Sequence, residues 1–128
     1  MKQLAFLGRI LFAIPIAVIG LTHFFFTPEF LLKLEHSLIP GSIYTVVLSG
    51  VMLIVVSILI VLNKYVRAAC YWLSGMLVIV IATIHVPNLF YPELYKSALM
   101  EILQDTAILG AALMIPGYLS CQNKVEKE

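Results

Sequence analysis

The sequence predicts an all-α integral membrane protein: a four-helix bundle with a short amphipathic helix at the membrane interface after helix one. Three observations predict it. Four long apolar stretches, at about residues 4–26, 42–62, 68–86 and 99–119, take up most of the 128 residues. Each is near the ~20 residues that cross a hydrocarbon core about 30 Å thick. The composition is 62% hydrophobic and 12% charged, against about 45–50% and 25% in ordinary soluble domains. Finally, the connectors are short, which leaves residues 1–128 as a single domain. In lipid every backbone N–H and C=O must be bonded internally, so apolar stretches of this length are read as helices.

The first stretch starts behind Lys2 and could pass for a signal peptide. Its apolar run exceeds the ~7–15 residues of such a segment, and no small-residue cleavage site follows His23, so it reads as a retained helix. Pro15 removes a hydrogen bond mid-span and predicts a kink. Thr27-Pro28-Glu29 reads as a helix start: a hydroxyl cap, proline in the first turn and an acid at the positive end of the dipole. Phe30, Leu31, Leu34 and Leu38 then recur at helical spacing while Glu29, Lys33 and Glu35 mostly lie elsewhere. That is the pattern of an interfacial amphipathic helix, ended by Pro40-Gly41.

The second stretch is apolar throughout, and the third carries His85 near its end. Tyr91-Pro92-Glu93 predicts a turn into the fourth, where Pro116-Gly117 is expected to loosen the far end. Ala13, Ala17 and Gly20, Gly75 and Ala82, and Gly110 to Ala112 are expected at helix contacts, because small residues let backbones approach. Phe24 to Phe26, Tyr44, Phe90, Tyr91 and Tyr95 at one boundary read as an interfacial belt, as do Tyr65, Tyr71, Trp72 and Tyr118 at the other.

Charge sets the expected orientation. Lys2, Arg9, Lys64, Arg67, Lys124 and Lys127 fall on one side, and only Lys33 and Lys96 on the other. The positive-inside bias then places both termini in the cytoplasm and the loops at 27–41 and 87–98 outside. A net charge of +1 without a basic run excludes a nucleic-acid-binding surface. The expected partners are the lipid bilayer, other membrane or redox proteins, or further copies of the chain.

Ionisable residues inside membrane spans are costly and face the bundle interior or water. Here they are Arg9 and His23 on helix one, His85 on helix three, and Glu101 and Asp105, with Gln104 between them, on helix four. Glu101 and Asp105 are four residues apart and share a face. The topology brings His23, His85, Glu101 and Asp105 to similar depth near the outer face. The plainest role for such a group is to bridge helices. It can also hydrogen-bond the oxygens of a quinone or quinol, or relay protons, since imidazole titrates near neutrality. Metal or haem is the least favoured reading, because neither an H-E-x-x-H nor a Cys-based motif is present. Glu101 looks shallow enough to be solvated. Arg9 lies about four turns before His23, on roughly the same face. It either snorkels to the inner headgroups or binds an anionic group within the bundle. Cys70 and Cys121 read as small apolar residues rather than a redox pair.

Taken in order, Gly8-Arg9, Gly20 with His23-Phe24, Pro40-Gly41, His85, and Asp105 ahead of Leu109-Gly110-Ala111 resemble the DoxX-like membrane proteins. The resemblance covers essentially the whole chain and rests on order and spacing. It implies a four-helix protein of the bacterial cytoplasmic (inner) membrane, with Arg9, His23, His85 and Asp105 as the pattern's polar positions. The relative that gives the family its name is a subunit of thiosulfate:quinone oxidoreductase, which implies a link to membrane redox chemistry. The chain departs from the pattern in three places. Gln104 stands where a Lys often precedes the Asp, and Ala111 replaces the second glycine of a common pair. Leu48-Ser49-Gly50 lacks the acid that many members place before that glycine, so the thiosulfate activity does not transfer. The resulting expectation is an accessory membrane subunit for quinone or thiol redox chemistry, with a polar pocket near the outer face. The alternatives are a small transporter or permeation subunit and a structural partner without a ligand. Whether the chain catalyses a reaction stays open.

Overall fold

The computed structural model describes residues 2–39 and 41–125, with side chains for 3–39 and 41–119. Pro40 and Lys127 therefore lie outside the described residues, as do the side chains of Lys2, Cys121 and Lys124. Among the described residues there is no strand. The long helices are α1 (Lys2–Phe25), α3 (Ile43–Val61) and α6 (Tyr95–Val125), and α2 (Thr27–Glu35) is short. Helix α4 (Val66–Val80) passes through a π-turn at Ile81–His85 into α5 (Val86–Asn88). Four stretches, Gln3–Phe25, Ile43–Val61, Val66–Asn88 and Tyr95–Leu119, are long and apolar enough to cross a membrane. These match the sequence-based spans closely, the largest shift being the start of the fourth. The chain is an all-α, multi-pass membrane protein. Outward side chains such as Leu11, Ile58, Ile79 and Met114 stay exposed within the chain, as suits helices surrounded by lipid.

Helix α1 packs along α3 and α4 along α6, while the α3–α4 hairpin joins the two pairs more lightly. Ala13 and Ile16 of α1, Val56 and Ile60 of α3, Leu73 of α4 and Ala112 of α6 meet in the core. The α1–α3 seam closes at two glycines. A Cβ on Gly20 would lie 2.9 Å from the Gly50 carbonyl oxygen, and one on Gly50 would lie 2.8 Å from His23 Cβ. Along the same seam Ser57 Oγ donates to the Ala13 carbonyl at 2.8 Å.

Several local expectations need correction. Gly75 and Gly110 have nothing within 4 Å of where a Cβ would stand, and Ala82 is exposed. Helix α4 instead buries Ala69, Cys70, Leu73, Ser74 and Leu77, a stripe at i, i+1, i+4 spacing that leaves Gly75 off the contact face. Both α1 and α6 run as continuous helices through Pro15 and Pro116. Thr27 does not cap α2. Its hydroxyl donates backward to the His23 carbonyl at 2.7 Å, taking an orphan acceptor of the last turn of α1, and Phe26 occupies the cap position.

Candidate functional site

The site forms where α1 stops and α6 starts, and its key local feature comes from Pro87. Proline has no N–H to offer the carbonyl four residues back, and its ring pushes that carbonyl aside. The helix widens by one residue, and the Val86 N–H bonds to the Ile81 carbonyl, an i→i−5 bond. The Thr83 carbonyl, which would have bonded residue 87, accepts the Leu38 N–H at 2.9 Å instead. The segment after α2 is thereby tied to the helix that carries His85.

His85 is buried, and its ring lies between two carboxylates of α6. Its Nε2 is 3.1 Å from Asp105 Oδ2 and donates to it. Its Nδ1 is 3.0 Å from Glu101 Oε2, within ion-pair range. That oxygen lies off the line of the ring N–H, so Nδ1 has no hydrogen-bond partner among the described residues. The other Glu101 oxygen is held by the Lys33 ammonium. The result is a polar row, Lys33–Glu101–His85–Asp105, that crosses from α2 through α6 and the π-turn and back to α6.

Helix α2 is fastened over this row. Asn88, 1% exposed, donates through Nδ2 to the Lys33 carbonyl at 3.1 Å, satisfying an acceptor near the end of α2. His36 stacks on Tyr91 with ring centroids 4.0 Å apart. Phe30 stacks on His23 at 4.1 Å, and the His23 ring bonds its own helix, Nδ1 to the Ile19 carbonyl at 2.7 Å. Below α2 lies a cavity of about 510 Å³, within the range of roughly 300–1,000 Å³ typical of small-molecule sites. Its walls are apolar (Ile16, Leu53, Met76, Ile108), and its polar end carries His23, Lys33, His85, Glu101, Gln104 and Asp105.

The structure thus brings His23, His85, Glu101 and Asp105 together, as the helix order predicts. Glu101 departs from expectation: it is not left to solvent but is held between Lys33 and His85, its side chain 23% exposed, because α2 folds back across it. Arg9 does not join the group. Fourteen residues of helix separate it from His23 by about 21 Å at ~1.5 Å per residue. Its guanidinium lies 5.9 Å from the Phe6 ring with Nη1 buried and unbonded among the described residues.

Sequence reasoning missed Lys33, Phe30 and Asn88. The signal for Lys33 was present: it is three residues after Phe30 and next to Leu34, on the face that α2 turns inward. Among the described residues no group of three or more His, Cys, Asp or Glu side chains is set to hold a metal ion. No protein-family model matches the chain, and neither a curated protein nor a solved structure matches it.

Proposed function

We propose that this chain is a DoxX-like accessory subunit of the bacterial cytoplasmic membrane, taking a quinone-type molecule from the bilayer into the cavity below α2. The observation that carries this reading is the cavity itself: apolar over most of its wall, polar at one end, and built among helices that lie in lipid. A ligand with a flat oxygen-bearing head and a greasy tail matches that division, and the bilayer supplies such molecules. A bound quinone supplies two-electron redox chemistry to a partner protein. The residues of this chain bind and orient it. Asp105 fixes the His85 ring through Nε2, and Lys33 holds Glu101 in place. His23 and the polar row meet the head-group oxygens, and Asn88 keeps α2 closed over them. The distribution of Lys and Arg supports both termini in the cytoplasm, which places this pocket toward the outer face and Arg9 at the inner headgroups.

The test is solvent extraction of the purified protein, with quinones identified by chromatography and mass. An isoprenoid quinone should be recovered from the unaltered chain. Much less should come from Met76→Trp, which fills the cavity, and from Asp105→Ala, which removes the acceptor of the His85 ring. A protein that retains no quinone and binds none on addition refutes the reading, as does retention unchanged in both variants.

A further inference from the structure

Around His23 the α1–α3 wall of the cavity has spent its hydrogens, whereas Thr45, one turn before Ser49, shares its hydroxyl with Ser42 at 3.3 Å and stands apart from this patch. His23 Nδ1 is 2.7 Å from the Ile19 carbonyl. A carbonyl only accepts, so Nδ1 carries the ring proton and Nε2 of the neutral ring is a bare lone pair. Nε2 has no partner among the described residues and stays accessible. Thr22 Oγ1 donates to the same Ile19 carbonyl at 2.7 Å, and Ser49 Oγ donates to the Val46 carbonyl at 2.8 Å. Both hydroxyls line the cavity with only lone pairs left to offer. Gly50 packs against His23 Cβ, which brings Ser49 of α3 to the same stretch of wall. Across the cavity the balance differs: Gln104 offers both kinds of group, and Lys33 has N–H bonds beyond the one that holds Glu101.

We propose that the cavity selects the reduced, hydroxyl-bearing form of its ligand, the quinol, over the quinone, because the patch formed by His23, Thr22 and Ser49 presents acceptors alone. The inference rests on the quinone-type reading above and adds which form binds. A quinol places one O–H against His23 Nε2, with the Thr22 and Ser49 oxygens nearby, and its second oxygen near Lys33 or Gln104. A quinone in the same pose sets a carbonyl oxygen against those lone pairs and leaves both sides unbonded. One such mismatch in a desolvated site is worth about ten- to a hundredfold in affinity.

Trp72, the single tryptophan of the chain, lines the cavity and serves as the reporter. The full-length protein in lipid nanodiscs is titrated anaerobically with a decyl-benzoquinone and, separately, with its quinol, and Kd is read from the saturation of the fluorescence change. The quinol should bind about ten- to a hundredfold more tightly. That preference should fall toward unity in His23→Leu. It should also fall in the double variant Thr22→Val, Ser49→Ala, which keeps the side-chain shapes and removes only hydroxyls that bond their own helices. Equal affinity for the two forms, tighter binding of the quinone, or a preference that survives both sets of substitutions overturns the inference and leaves quinone-type binding standing. Saturable binding of neither form overturns both.

Discussion

Replacing Gly50 with alanine tests the seam on which the position of His23 depends. The added methyl would stand 2.8 Å from His23 Cβ, 2.9 Å from the Gly20 carbonyl oxygen and 3.2 Å from Phe24 Cε2. Carbon–carbon contacts are most favourable at about 3.5–4.0 Å, so α1 and α3 must part by roughly 0.7 Å. The Phe24 ring can swing aside, but a carbonyl oxygen and a Cβ cannot rotate out of the way. Parting the helices also stretches the 2.8 Å bond from Ser57 to Ala13. Overpacking of this kind costs about 1–3 kcal/mol. Gly75→Ala and Gly110→Ala are the controls. Nothing lies within 4 Å of either added methyl, and alanine favours the helix over glycine, so both should be neutral or slightly stabilising. Thermal unfolding in nanodiscs, followed by helical circular dichroism, ranks the three. A Gly50→Ala protein as stable as the Gly75→Ala protein would refute the close approach of α1 and α3.

Two further substitutions probe the scaffold. Ser57→Ala removes a side-chain hydrogen bond that joins α3 to α1. It should lower stability by about 0.5–1.5 kcal/mol, the scale of polar contacts between membrane helices, and an unchanged unfolding midpoint would count against that bond. Asn88→Ala frees the Lys33 carbonyl and should cost about 1 kcal/mol. The loss should be local, with faster deuterium uptake over residues 27–38 and none in the α1–α3 core; uniform or unaltered uptake would show that Asn88 does not hold α2.

The long-range layout was legible because lipid enforces it: an apolar run of membrane length has one solution, and helix order then brings His23, His85, Glu101 and Asp105 to one end. Finer features depended on which way a helix faces, which composition does not report. Gly75 and Gly110 look like packing residues in sequence and face outward in the structure, while Gly50, noted only for its neighbours, closes the main seam. Lys33 was read as part of the polar side of an interfacial helix. Its place beside Phe30 and Leu34 hinted at an inward position, but the ion pair with Glu101 depends on α2 folding back over the bundle, a tertiary event. The π-turn was hidden for a related reason. Pro87 marks it, but a proline near the end of an apolar run reads equally well as the end of the helix.

The Leu38–Thr83 bond joins main chain to main chain, so no exchange that keeps the Leu38 N–H removes it. Alanine at Leu38 or Thr83 would leave this clasp intact and hide its contribution. Its vulnerability lies in the donor itself: proline, or an ester linkage, at position 38 would take away the hydrogen while the outer surface of the loop stayed nearly the same.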